Sequence, residues 1–214
     1  MKKNFSYRLF GRSKGRGKST KITNKALKIK IKKIDPSRYN IIDIGSGYGE
    51  STLEIAKNDN KKFVIACEKF IDGINKIAEN NLHYSLRNIS IFHGNVHQLL
   101  DEYCPNRSIS EIWILFPDPW PKKRHSKRRL INVSFFNKIE QYLKEDGIIH
   151  IASDSKLYIS EILNSVYQVK KDFKWINQNK EGWNYMNLAM PKTKYFQKAL
   201  EKGLNPFYLK LIKL

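Results

Sequence analysis

Five consecutive apolar residues, Ile112-Trp-Ile-Leu-Phe116, leave little choice of fold class. The run is rich in β-formers and lacks the alternation of a half-exposed strand. It reads as a strand buried on both faces, as in the parallel sheet of an α/β protein. It stops at Pro117-Asp118-Pro119-Trp120-Pro121, where three prolines in five residues remove backbone donors and fix φ. Neither strand nor helix continues through such a segment. Asp118 is therefore expected on a stiff loop at the carboxyl end of a central strand, the edge where open α/β sheets place their ligands. Lys122, Lys123, Arg124, Lys127, Arg128 and Arg129 follow directly. A carboxylate on a rigid loop beside these cations points to chemistry next to a polyanion.

Strand and helix alternate on both sides of that run. Segments 39–44, 63–67, 89–93 and 147–152 read as further strands, with helices expected over 50–57, 70–82, 96–103, 132–143 and 156–167. Two late strands, 173–177 and 207–212, enclose a short helix over 193–202, which Pro191 precedes and Gly203 ends. These elements make one domain over 37–214, and the 214-residue length suffices for a full core. Residues 1–36 read as a basic, partly flexible arm. Its first 22 residues lack apolar periodicity, and a short helix is expected within 24–33.

The charge is concentrated. Forty basic residues against twenty acidic ones give +20, and nineteen of the forty lie in 1–34 and 122–129, which contain no acid. Two cationic blocks on a balanced body look like a phosphate-binding footprint and favour a nucleic acid, with a membrane surface as the rival and a merely solvated face as the bland alternative. No run approaches the roughly 20 apolar residues of a membrane span. The first residues carry charge without an apolar stretch, unlike a secretory signal. Cys67 and Cys104 lack metal spacing and read as thiols of a reducing compartment, so the expected location is cytoplasmic. His83, His93, His97 and His150 show no ligand spacing, and no metal is expected.

Gly45-Ser-Gly47-Tyr-Gly49 joins the first strand to the first helix of the domain, an arrangement that brings backbone N–H groups and a helix start against a ligand. A dinucleotide fingerprint requires its third glycine where Glu50 stands, which argues against a nicotinamide-dependent oxidoreductase. Asp43, two residues before the first glycine, suits a cationic cofactor better than a pyrophosphate. Glu68 closes the second strand, where an acid accepts the hydroxyls of a ribose; a surface glutamate is the alternative. Asn95, after the third strand, offers a donor and an acceptor to an adenine edge.

Asp43-Ile-Gly45-Ser-Gly47-Tyr-Gly49 with Glu68 resembles the cofactor site of class I S-adenosylmethionine-dependent methyltransferases. FPDPWPKKRHSKRR at 116–129 resembles the signature of one family among them, the tRNA (guanine-N7)-methyltransferases. The similarity runs from about residue 39 to 212. The resemblance implies a Rossmann-like α/β fold, with a mostly parallel seven-stranded sheet and helices on both faces. It implies methyl transfer from S-adenosylmethionine to N7 of a guanine in the tRNA variable loop. A monomer or homodimer is expected, and the sequence does not choose between them. Cofactor contacts fall on Asp43, Glu68, Asn95 and Asp118, with Gly45 and Gly47 in the turn. Substrate contacts fall on Lys122, Asp154 and the 193–196 segment. Two positions depart from the pattern: Asn95 replaces a usual acid, and Phe196 replaces the glutamate of Thr-x-Tyr-Glu. Thr193 and Tyr195 remain as substrate candidates.

Guanine N7 is already an unprotonated nucleophile, so the implied reaction needs alignment rather than a base. A fixed carboxylate would favour the cationic purine that forms, which makes Asp118 the catalytic candidate; the alternative is a brace for its own turn. Asp154 is a second guanine acceptor or a helix N-cap. Arg124, Arg128 and Arg129 are expected on the tRNA backbone, Lys122 on phosphate or base, and His125 in a polar or phosphate-binding role. Trp120 packs against cofactor or base, or is simply buried. An exocyclic-amine methyltransferase is the nearest rival, but it generally carries two adjacent prolines after the same strand. A non-enzymatic RNA-binding protein would leave Asp43, the glycine turn and Glu68 unused.

Overall fold

Residues 21–184 and 190–214 are described by a computed structural model. Among them seven strands form one sheet: β1 (Tyr39–Ile44), β2 (Lys62–Glu68), β3 (Ile89–His93), β4 (Ile109–Leu115), β5 (Leu143–Ser153), β6 (Phe173–Trp175) and β7 (Phe207–Lys213). Their order is β3-β2-β1-β4-β5-β7-β6. Neighbours from β3 to β5 are parallel, and β7 runs antiparallel to both β5 and β6. The helices are α1 (Asn24–Lys28), α2 (Glu50–Asn58), α3 (Ile71–His83), α4 (Val96–Tyr103), α5 (Val133–Glu140), α6 (Lys156–Gln168), α7 (Lys180–Trp183) and α8 (Lys194–Glu201), with a 3-10 turn at Lys123–Arg128.

Side-chain alternation along the strands builds two apolar layers. Ile42, Ile65, Ile112, Ile114, Ile149 and Ile151 pack into one layer with α4, α5 and α6. Ile41, Val64, Ala66, Trp113, Leu115 and Ala152 pack into the other with α1, α2, α3 and α8. All seven residues of β4 are buried: the apolar run expected from 112 supplies Ile112–Leu115, the polar Ser110 and Glu111 are buried ahead of it, and Phe116 falls just beyond the strand. Each isoleucine taken fully out of water stabilises the fold by about 1.5–3 kcal/mol before entropy is counted.

Local chemistry sets the helix starts. Asn95, Asn132, Ser155 and Thr193 each accept a first-turn N–H, capping α4, α5, α6 and α8. The helix expected to reach residue 143 ends at Glu140 instead, because Leu143 has turned inward as the first residue of β5.

Packing also begins before the boundary expected at 36/37. Ala26, Ile31 and Ile34 are buried, and 29–31 exchanges hydrogen bonds with Ile91 of β3, Ile31 N–H to Ile91 O and Ile91 N–H to Ile29 O, each 2.9 Å. The alternation Ile29-Lys-Ile31 sends isoleucine in and lysine out, and it limits the helix to Asn24–Lys28. Residues 1–20 of the expected arm lie outside the described residues.

Candidate active site

β1 leads the chain to β2 and β3 on one side, whereas β4 leads it to β5 on the other. The loops leaving these two adjacent strands diverge at their carboxyl ends and open a crevice. A cavity of about 1040 Å³ fills it, walled among others by Ile44, Gly47, Glu68, Asn95, Leu115 and Asp118.

The glycine turn forms the floor. Gly45, Gly47 and Gly49 have φ of +72°, +56° and +85°, a region that costs an ordinary residue about 1–2 kcal/mol. Gly73 of α3 lies against the Gly47 carbonyl so closely that no Cβ fits between them. Glu68 then locks the turn from the side. Its Oε2 accepts the Gly47 N–H at 2.9 Å, and its Oε1 accepts from Lys69 N–H at 2.7 Å and Phe70 N–H at 2.9 Å. With about four acceptor sites on a carboxylate, Glu68 is oriented in advance and keeps capacity for a ligand.

Strain marks the opposite wall. Phe116 and Trp120 have φ of +54° and +43°, and they bracket Pro117-Asp118-Pro119. Bulky residues persist there only when their surroundings over-determine them. Phe116 N–H donates to Ala152 O at 2.8 Å. Arg129 donates from Nε to Pro119 O at 2.7 Å and from a terminal nitrogen to Trp120 O at 2.9 Å, while its other nitrogen pairs with Glu161 of α6. Asp118 is left exposed at the centre of the loop and on the cavity wall.

Further groups converge on Asp118. Burial raises the Tyr195 phenol above its ordinary pKa, and the nearby charges of Asp118 and Glu68 add to the rise. Burial lowers the Lys69 ammonium, against the pull of Asp118 and Glu68, and its Nζ is buried without a hydrogen-bond partner. Cys67 also lines the cavity, but burial holds its thiol well above the usual range, so it packs rather than attacks. The crevice therefore holds the Glu68 carboxylate, fixed by three backbone donors, and the exposed Asp118 carboxylate on its braced loop. That composition can bind and align a substrate.

A family profile described as a putative methyltransferase matches residues 37–209. The tRNA (guanine-N(7)-)-methyltransferase of Chelativorans sp. (strain BNC1) is 33% identical over 180 residues, 84% of this chain and 76% of that protein. The chain belongs to the tRNA (guanine-N7)-methyltransferase family. A protein of the same name from Buchnera aphidicola subsp. Acyrthosiphon pisum (strain 5A) is 34% identical over 171 residues, 79% of this chain and 70% of that one. Among solved structures, a putative methyltransferase from Streptococcus mutans in complex with SAH has a TM-score of 0.55 at 16% identity, covering 83% of this chain and 89% of that chain. An rRNA methylase from Streptococcus thermophilus gives 0.54 at 17%, covering 89% and 93%. These two show the shared fold.

The family's methyl donor is S-adenosylmethionine, and the cavity fits it. Gly45 and Gly47 put no side chain between a ligand and the backbone, Glu68 keeps acceptor capacity beside them, and Ile44, Val96 and Leu115 offer apolar walls. Of the residues expected from the family motifs, Gly45, Gly47, Glu68, Asn95, Asp118, Arg128, Arg129 and Tyr195 line this cavity. Asn95 has its Oδ1 engaged by His97 N–H at 2.8 Å, so its acceptor already serves the α4 cap.

Three of the expected residues are engaged within the protein. Asp43 is 1% exposed and accepts from the Ser51 and Thr52 hydroxyls at 2.6 Å each, which secures the start of α2. Arg129 is buried and holds the proline loop and Glu161. Thr193 is buried as the cap of α8, its hydroxyl accepting Phe196 N–H at 3.2 Å.

Phe196, in the family's glutamate position, points into the core and anchors α8. Lys122 and Arg124 are exposed beyond the cavity wall. Asp154 is half-buried at the end of β5, and the cap of α6 is Ser155 rather than Asp154. Tyr48 and Lys194 lie within the quoted glycine turn and the 193–196 segment without having been singled out, whereas Gly73, Lys69 and Lys198 were not anticipated. An isolated glycine inside the apolar pattern of α3 was the one available signal; the others carry no motif. Among the described residues, no helix is long and apolar enough to cross a membrane, and no His/Cys/Asp/Glu group could hold a metal.

Proposed function

We propose that this protein transfers a methyl group from S-adenosylmethionine to N7 of a guanine in the variable loop of tRNA, in the cytoplasm, with Asp118 acting on the guanine. The observation that carries this reading is Asp118 itself, an exposed carboxylate on a strained, braced loop in the same cavity as Glu68. S-adenosylmethionine supplies an electrophilic methyl group on a positively charged sulfur. Guanine N7 attacks with its own lone pair, so no residue has to remove a proton first. The purine gains positive charge as its bond to carbon forms. Asp118 accepts from guanine N1–H and N2–H, fixes the ring in line and faces the growing charge.

Glu68 holds the ribose hydroxyls, and Asn95 with the apolar wall takes the adenine. Tyr195 borders the guanine, and Asp154 offers a second acceptor to it. Lys122, Arg124 and Arg128 bind tRNA phosphates. The expected outcome for Asp118→Ala is S-adenosylmethionine affinity within about threefold of wild type and turnover lower by about 100-fold or more. Calorimetry and single-turnover transfer read the two quantities separately. Undiminished turnover would remove Asp118 from the mechanism.

A further inference from the structure

α8 divides its residues between two environments. Phe196 and Ala199 are buried in the layer that holds Leu115, Ala152 and Tyr208. On the other side Lys194, Tyr195 and Lys198 are exposed, and all three line the cavity. Among the described residues neither lysine has an ion-pair partner. Lys194 Nζ lies 5.5 Å from the ring centre of Tyr48, and Lys198 Nζ lies 5.5 Å from that of Tyr195. The 3-10 turn repeats the arrangement, with Arg128 Cζ 4.9 Å from the Trp120 ring and Lys127 beside it on the cavity wall.

The two basic elements are anchored in opposite layers of the sheet. The 3-10 turn runs into Leu130 and Ile131, which pack with α5 and α6, whereas α8 is held through Phe196 on the other face. Both line the same cavity, which Asp118 lines as well, and the Asp118 charge is close enough to act on Tyr195 of α8. We propose that α8 is a second phosphate-binding rim, so that the substrate RNA crosses the cavity between Lys194/Lys198 and Lys127/Arg128. The target guanine descends among the rings of Tyr48, Tyr195 and Trp120. This rests on the tRNA reading above and extends it from the expected substrate segment 193–196 to a phosphate-binding role for Lys194 and for Lys198 beyond that segment.

The physical case is that a base reaching an enclosed site must leave its stack, which costs a few kcal/mol. Stacking on an aromatic ring returns about 1–3 kcal/mol per base. Cations on one side alone would let the strand pivot; a rim on each side fixes the phosphates flanking the extruded base.

The test is the salt dependence of unmodified tRNA binding to Lys194→Gln/Lys198→Gln, with thermal melting as the check on folding. Losing two phosphate contacts should reduce the slope of log K against log salt by roughly 1.4–1.8, and Lys194→Arg/Lys198→Arg should keep the wild-type slope. Should the double variant melt early, Lys198→Gln alone carries the same test with half the change. An unchanged slope in a folded variant overturns the rim, even if the wild type makes N7-methylguanosine. Steep, α8-dependent binding without that product would overturn the proposed reaction and leave the rim standing.

Discussion

Asp43 and Glu111 are both buried carboxylates, yet their surroundings move them in opposite directions. Burial raises Asp43 to about 6, against the hydroxyls of Ser51 and Thr52. Its protonated form is favoured in the fold, so its contribution to stability is complete below about 3.8 and is lost as pH rises through about 6. Burial also pushes Glu111 up, but the His150 ring 3.2 Å away and hydrogen bonds from Tyr39 and Trp113 outweigh it and hold the group below its ordinary range. Its contribution is therefore present above 4.5 and lost on acidification. Asp43→Asn should decline less in unfolding free energy between pH 4 and 6 than the wild type, as urea melts would show; parallel curves would contradict the assignment. Sequence spacing put Asp43 near the glycine turn correctly. What it did not give was the strand face, and on that face the carboxylate meets α2. A run of cations likewise does not reveal that Arg129 is the one that turns inward. Arg129→Ala should cost about 2 kcal/mol in urea unfolding, by taking the charged donor from two loop carbonyls, since the half-exposed Glu161 is solvated without it. Lysine should not restore the loss, because it lacks the fork that bridges both carbonyls. A loss below about 1 kcal/mol would show that the loop is held by its prolines alone.

Elements with a clean period were legible. β1, β3 and α4 run over the residues their patterns predicted, because alternation or amphipathy there is bounded by glycine, asparagine or charge. The 29–34 segment was not, since a high lysine content masked the inward isoleucines that dock it beside β3. The 3-10 turn was missed because a short run of cations has no period to read. α3 carries the most exacting contact in the cofactor site. Its Gly73 meets the Gly47 carbonyl, so Gly73→Ala has to move the helix or the turn. Such crowding costs about 1–3 kcal/mol. The expected result is that loss of stability together with at least about a tenfold loss of S-adenosylmethionine affinity. Wild-type affinity would mean that the turn does not depend on α3 for its shape.

At the scale of the molecule, the sheet supplies rigidity and its carboxyl edge supplies function. Two apolar layers fix the strands, the reversal between β1 and β4 opens the crevice, and the loops above it carry the glycine turn, Glu68 and Asp118. The net charge of +20 indicated a polyanionic partner, but only the fold brings α8 and the 3-10 turn to the same cavity. The most direct measurement is transfer of labelled methyl from S-adenosylmethionine into unmodified tRNA, with the product nucleoside identified and its position mapped. N7-methylguanosine in the variable loop, lost in Asp118→Ala, is the predicted result. Label on an exocyclic amine or at another position would contradict the proposed target, and full transfer by Asp118→Ala would contradict the proposed mechanism.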